Sequence, residues 1–131
     1  MRNMSDESPR RVLYAESTDM GRTWGRLMRT TLENPDSGLD VIAIDTGLLA
    51  VLNNQQEGRH RLVLMHSPDG GRTWDELRVL EDEPGREFSY PSIERGTDGI
   101  FHVTYTYDRK RIKHVSFDSQ WLTALIGRAG G

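Results

Sequence analysis

The sequence predicts an all-β fold, a partial β-propeller of about 2.5 four-stranded antiparallel blades. Two observations carry that expectation. Ser17-Thr-Asp-Met-Gly-Arg-Thr-Trp24 returns fifty residues later as Ser67-Pro-Asp-Gly-Gly-Arg-Thr-Trp74. A second echo, out of phase with the first, pairs Asp45-Thr-Gly-Leu-Leu-Ala-Val51 with Thr97-Asp-Gly-Ile-Phe-His-Val103. Two different motifs sharing one period mark a repeating supersecondary unit, and roughly four strands per ~50 residues is the measure of a propeller blade.

The elements follow in order. Arg11–Glu16 and Leu27–Leu32 read as strands of half a blade within residues 11–33. Asp40–Ile44, Leu48–Asn53, Arg61–His66 and Glu76–Leu80 make a full blade within 36–82. Tyr90–Glu94, Ile100–Tyr107 and Ile112–Phe117 make a partial blade within 87–122. Ile100–Tyr107 alternates strictly, with Phe101, Val103, Tyr105 and Tyr107 on one face, as a half-buried strand requires. Thr46-Gly47, Asp69-Gly70 and Asp98-Gly99 supply hairpin turn chemistry between strands. Helical tendency is confined to Gln120–Ile126, with Gly127 expected to end it. Residues 1–10 read as a polar tail and 123–131 as a C-terminal tail.

Composition narrows the function classes. The chain has 131 residues, no cysteine and a formal charge of −3. That charge argues against a nucleic-acid partner, which calls for a basic field. The lack of thiols excludes a disulfide scaffold, a zinc ribbon and cysteine catalysis, and leaves the compartment open. No secretory signal is visible in Met1–Arg11. The longest apolar runs, Val41–Ile44 and Leu48–Leu52, are strand-sized, so no membrane span is expected and the chain reads as soluble.

The repeated octapeptide has turn chemistry throughout. Ser and Asp side chains accept hydrogen bonds from backbone N–H groups in a tight turn, and Gly supplies a positive φ. Thr resumes extended geometry, and Trp offers an apolar plate to wedge between sheets. Ser17, Asp19, Gly21, Thr23 and Trp24, with Ser67, Asp69, Gly71, Thr73 and Trp74, are therefore expected to be structural.

At these residues the sequence resembles the Asp-box, or BNR repeat, of sialidase-like β-propellers. Asn34-Pro-Asp-Ser-Gly-Leu-Asp40, Glu87-Phe-Ser-Tyr-Pro-Ser92 and Ile100-Phe-His-Val-Thr-Tyr-Thr-Tyr107 extend the likeness to the C-terminal part of such proteins. The resemblance implies a six-bladed ring with a sugar-facing cleft at one end. It further implies an arginine triad for a substrate carboxylate, a tyrosine nucleophile helped by a glutamate, and an aspartate acid/base. The early blades, which carry that aspartate and the first arginine, have no counterpart here.

Propeller ligands meet the innermost strands and the loops around them, here 34–44 and 86–94. Asn34, Ser37, Asp40, Arg86 and Glu87 are the candidate substrate contacts, with Ser89 beside them; Asn34-Pro-Asp-Ser-Gly reads equally as an inter-blade turn. Arg86 offers a bidentate fork to a carboxylate, or is a plain loop arginine. Tyr90 is the candidate nucleophile that the resemblance implies. A phenol needs a neighbouring base to attack at neutral pH, and Glu87 and Glu94 lie near it in sequence. His60 and His66 stand too far apart along one strand to share a metal, so no metal site and no cofactor are expected. Lys113 and His114, adjacent on a strand, face opposite sides, and Asp108–Arg111 reads as a charged hairpin tip.

Two functional readings follow. The first is the C-terminal segment of a sialidase-like glycoside hydrolase that contributes carbohydrate-cleft residues without a complete catalytic set. The second is a non-catalytic carbohydrate-binding or scaffold module that self-assembles into a propeller. Open sheet faces and edges favour association, so a homo-oligomer completing a ring is the expected partner arrangement.

Overall fold

The computed structural model describes residues 8–130. The expected tail at 1–10 therefore lies largely outside the described residues. Strands β1 (Arg11–Tyr14) and β2 (Met28–Glu33) form a two-stranded sheet. Strands β3 (Leu39–Ile44), β4 (Gly47–Asn53), β5 (Arg61–Ser67) and β6 (Asp75–Asp82) form a four-stranded meander. Strands β7 (Phe88–Arg95), β8 (Phe101–Tyr107) and β9 (Arg111–Phe117) form a third sheet, followed by helix α1 (Ser119–Gly130). Every pairing is antiparallel. The fold is all-β apart from that helix, and among the described residues the three sheets do not close a ring.

The central sheet is the middle of the molecule. Strands β4 and β5 read as nearly continuous apolar runs because both of their faces are covered. Leu49, Val51, Leu62 and Leu64 pack toward Phe88, Ile93, Phe101, Val103 and Tyr105 of the third sheet. The alternate residues Ala50, Leu52, Val63 and Met65 pack toward Val12 and Leu32 of the first. The period of two thus splits one apolar run into two cores. A cation also bridges the second and third sheets, where Lys113 Nζ on β9 donates to Glu81 Oε1 on β6 at 2.7 Å. The glutamate raises the Lys113 pKa, and burial first, then Glu81, raises that of the Tyr105 hydroxyl beside them.

The helix corrects the expected end of the chain. Gly127 does not stop it, and residues 123–130 continue α1 instead of forming a tail. Asp118 caps the N-terminus, its Oδ1 accepting from Trp121 N at 2.8 Å. Leu122 and Ile126, one turn apart, face the core shared by the central and third sheets. A glycine inside a helix costs about 1 kcal/mol relative to alanine. The cap and that apolar face offset it. Ser116-Phe-Asp118 stands fifty residues or so after Ser67-Pro-Asp69 and keeps its Ser and Asp but not the Gly and Thr. This degenerate third copy of the box starts a helix where the others turn into a strand.

Strand parity sorts the connections into two ends. The two box turns, the β3–β4 turn and the start of α1 share one end. The segments 34–38, 54–60 and 83–87, with the β8–β9 turn, share the other.

Candidate functional site

The two boxes share most of their hydrogen bonds. Gly21 N and Gly71 N each donate to the serine four residues earlier, Ser17 Oγ and Ser67 Oγ, at 2.8 Å. Thr23 N and Thr73 N each donate to the aspartate, Asp19 Oδ1 and Asp69 Oδ1, at 2.8 Å. Both threonine hydroxyls donate to the second carboxylate oxygen. Both indoles donate from Nε1 to the box glycine carbonyl at 3.1 Å. These donors, the Thr23 and Thr73 hydroxyls foremost, lower the pKa of Asp19 and of Asp69 to about 2. The tryptophans then diverge. Trp74 packs on the core beneath the first sheet. Trp24 remains 65 % exposed, contrary to the expectation of a wedge, since no described sheet stands beyond β1 and β2.

At the opposite end, Asn34, Ser37 and Asn53 form a closed polar knot. All three are fully buried. Ser37 N donates to Asn34 Oδ1 at 2.9 Å, and Ser37 Oγ to Asn53 Oδ1 at 2.8 Å. Asn34 Nδ2 donates to Asn53 O at 3.1 Å. The expectation that Asn34 and Ser37 face a ligand is corrected here: both spend their polar groups inside the protein, as an inter-blade turn does. Asp40 is likewise engaged, its Oδ2 accepting from Ile93 N at 2.9 Å and its Oδ1 from Val41 N at 3.0 Å.

That contact from Asp40 falls just past a break in the β7–β8 ladder, between Ser89 and Ser92. Tyr90 occupies the break with φ of +52°. A bulge of this kind re-aims a side chain, and the strain is held by the bonds around it. The Tyr90 ring emerges 66 % exposed beside Gly38, with the Arg59 guanidinium 5.7 Å from its centroid. Ser89, one residue earlier, is fully buried.

Charges flank the ring. Glu87 accepts from Arg109 Nε at 2.6 Å through Oε2, and its Oε1 lies 3.5 Å from Arg59 Nη1. The Glu87 contact raises the Arg109 pKa still further. Arg86 is held by Glu83 and by Asp108, whose Oδ2 lies 3.3 Å away. Asp108 N donates to Glu87 O at 2.6 Å, which fixes the hairpin tip against the start of β7. Arg86 and Glu87 are therefore both paired within the protein, and Glu94 projects from the far end of β7. The arrangement offers an exposed aromatic plate edged by two guanidiniums, both of them paired with the Glu87 carboxylate.

Residues 1–103 match the BNR repeat-like domain. The chain belongs to that family. No curated protein matches it at a significant level. In this BNR repeat-like chain the boxes hold one end of the sheets, and the tyrosine and its arginines lie at the other. Among the described residues no helix is long and apolar enough to cross a membrane.

Two members of the polar end, Arg59 and Arg109, escaped the sequence reading. Each is an ordinary loop arginine when taken alone. Strand parity is the signal that finds them, because the β4–β5 and β8–β9 connections must return to the end where segments 34–38 and 83–87 begin.

Proposed function

We propose that the chain is the C-terminal segment of a sialidase-like glycoside hydrolase, contributing a carbohydrate-facing surface without a complete catalytic set. Membership of a family found in such hydrolases supports the reading. The observation that carries it is Tyr90, an exposed ring lifted by a strained bulge between Arg59 and Gly38. A flat aromatic face packs on the C–H face of a sugar ring, and arginines recognise carboxylate substituents. Attack by the Tyr90 hydroxyl needs a base, and Glu87 is already tied to two guanidiniums. Binding is thus the role assigned to the isolated chain. A glycan array read alongside turnover of fluorogenic sialosides tests this. Retention of acidic glycans without turnover is expected; no retention of any glycan would overturn it.

The second reading, a non-catalytic carbohydrate-binding module that assembles its own ring, rests on the open edge sheets. The mass in solution by light scattering separates the two. A closed oligomer supports self-assembly, and a monomer removes it.

A further inference from the structure

The first box differs from the second at residues that face outward. Met20 stands where the second box has Gly70, and both take a left-handed backbone, at φ of +64° and +75°. That conformation favours glycine, yet here it carries a methionine that is 99 % exposed. A missing neighbour does not account for it. In the second box, whose tryptophan packs beneath the first sheet, Pro68, Asp69 and Gly70 are exposed as well. The tip of a box reaches beyond the sheet packed beside it, so a further sheet would leave Met20 bare.

Apolar and cationic side chains gather around that tip. Trp24, Leu27 and Met28 are exposed in the same stretch. Leu13, Ala15, Trp24 and Leu27 line an open depression of about 460 Å³ next to the box. From Met20 to Leu32 the chain carries Arg22, Arg26 and Arg29 and no acidic residue, within a protein of net charge −3. Arg26 stands where the second box has Glu76. Among the described residues neither Arg22 nor Arg26 pairs with a carboxylate. The acidic groups nearest in sequence are engaged, Asp19 by Ser17 and Thr23 and Glu16 by the Tyr14 hydroxyl. Arg72 lines the adjoining groove with Arg29, Tyr14 and Met28, and adds a fourth arginine to this end.

We propose that this end of the first sheet docks peripherally on an anionic phospholipid bilayer. Met20, Trp24, Leu27 and Met28 enter the headgroup boundary, and the arginines meet the lipid phosphates and carboxylates. Charge alone would suit any polyanion, but four exposed apolar side chains among the arginines need an apolar phase as well. An anionic bilayer supplies both. Indole rings settle at the membrane–water interface, and each arginine near an anionic surface adds about fivefold in affinity. Docking of this kind needs no membrane span. Tyr90, at the opposite end of the sheets, then faces away from the bilayer.

The test mixes the full chain with vesicles of phosphatidylcholine, alone or with about a third phosphatidylserine, and reads co-sedimentation and tryptophan emission. Binding to the mixed vesicles alone is expected, weakening as salt rises, with a blue shift in emission that Trp24→Phe abolishes. Met20→Gly combined with Arg26→Glu gives the first box residues that the second already carries, so the fold is kept. That double variant should weaken vesicle binding about tenfold or more. Lys110→Glu makes the same change of charge at the opposite end and should leave binding unchanged. No binding to the mixed vesicles, equal losses in the double variant and Lys110→Glu, or a blue shift that survives Trp24→Phe would each overturn the proposal. Tighter binding to heparin with no emission shift would also overturn it, in favour of a soluble polyanion.

Discussion

The side-chain amide of Asn53 donates to the backbone carbonyl of Phe88 at 3.0 Å, across 35 residues of sequence. The same nitrogen donates to Arg61 O at 3.0 Å, and Asn53 Oδ1 accepts from Ser37 Oγ at 2.8 Å. One buried side chain thus joins the central sheet, the third sheet and the segment before β3. Asn53→Ala leaves Phe88 O and Ser37 Oγ without these partners, so a loss of about 3 kcal/mol is expected. The urea midpoint measures it. Asn54→Ala is the comparison, since among the described residues that amide reaches only the Met65 sulfur, at 3.9 Å.

Gly47 opens β4 with φ of +133°, and a Cβ added there would lie 2.0 Å from Ser67 O. That oxygen belongs to backbone at the start of the second box and cannot swing aside. Gly47→Ala is expected to cost about 3 kcal/mol or more, from a steric clash added to backbone strain. Gly70 has φ of +75° but nothing near its Cβ position, so Gly70→Ala should cost only the left-handed penalty of about 1–2 kcal/mol. A thermal unfolding series ranks the two. Equal losses would remove the role given to the Ser67 contact.

Acid should weaken the boxes in a defined window. The folded-state pKa of Asp19 and of Asp69 is lowered to about 2, below the unfolded value of about 3.9. A depressed carboxylate contributes stability that is fully present above the unfolded pKa. That contribution disappears as pH falls from about 4 toward 2. Asp69→Asn removes one titrating group, so its stability should depend less on pH across that window than the parent's. Denaturant midpoints at stepped pH check the slope, and parallel curves would contradict it.

How much of this was legible in the sequence depends on which force set each feature. The strict alternation of Ile100–Tyr107 became β8 with Phe101, Val103 and Tyr105 buried, because a two-residue period has one reading. The helix beyond Gly127 was not legible, since its apolar contacts at Leu122 and Ile126 come from sheets distant in sequence. Asn34 and Ser37 show why polar residues mislead. Asx chemistry that satisfies a ligand also satisfies a turn, and only the packing of Asn53 between them decides. The contact between His102 and His114 needed the β8–β9 register, which places residues twelve apart on one face. Trp24 and Trp74 carry the same motif and differ only in what stands beside them.

Tyr90 separates binding from chemistry. If its ring is the platform for a sugar, Tyr90→Phe keeps the plate and should hold glycan affinity within about twofold, while Tyr90→Ala removes it and should cost about tenfold or more. If its hydroxyl is a nucleophile, Tyr90→Phe should abolish turnover with little change in binding. The parent holds Tyr90 at φ of +52°, and neither phenylalanine nor alanine relieves that left-handed strain, so the comparison of the two variants with the parent is one of side chains. Arg59→Ala provides the independent arm. It removes the guanidinium 5.7 Å from the ring and one partner of Glu87, and should weaken acidic glycans more than neutral ones. Glycan affinity unchanged in Tyr90→Ala and Arg59→Ala alike would place the sugar elsewhere on the molecule.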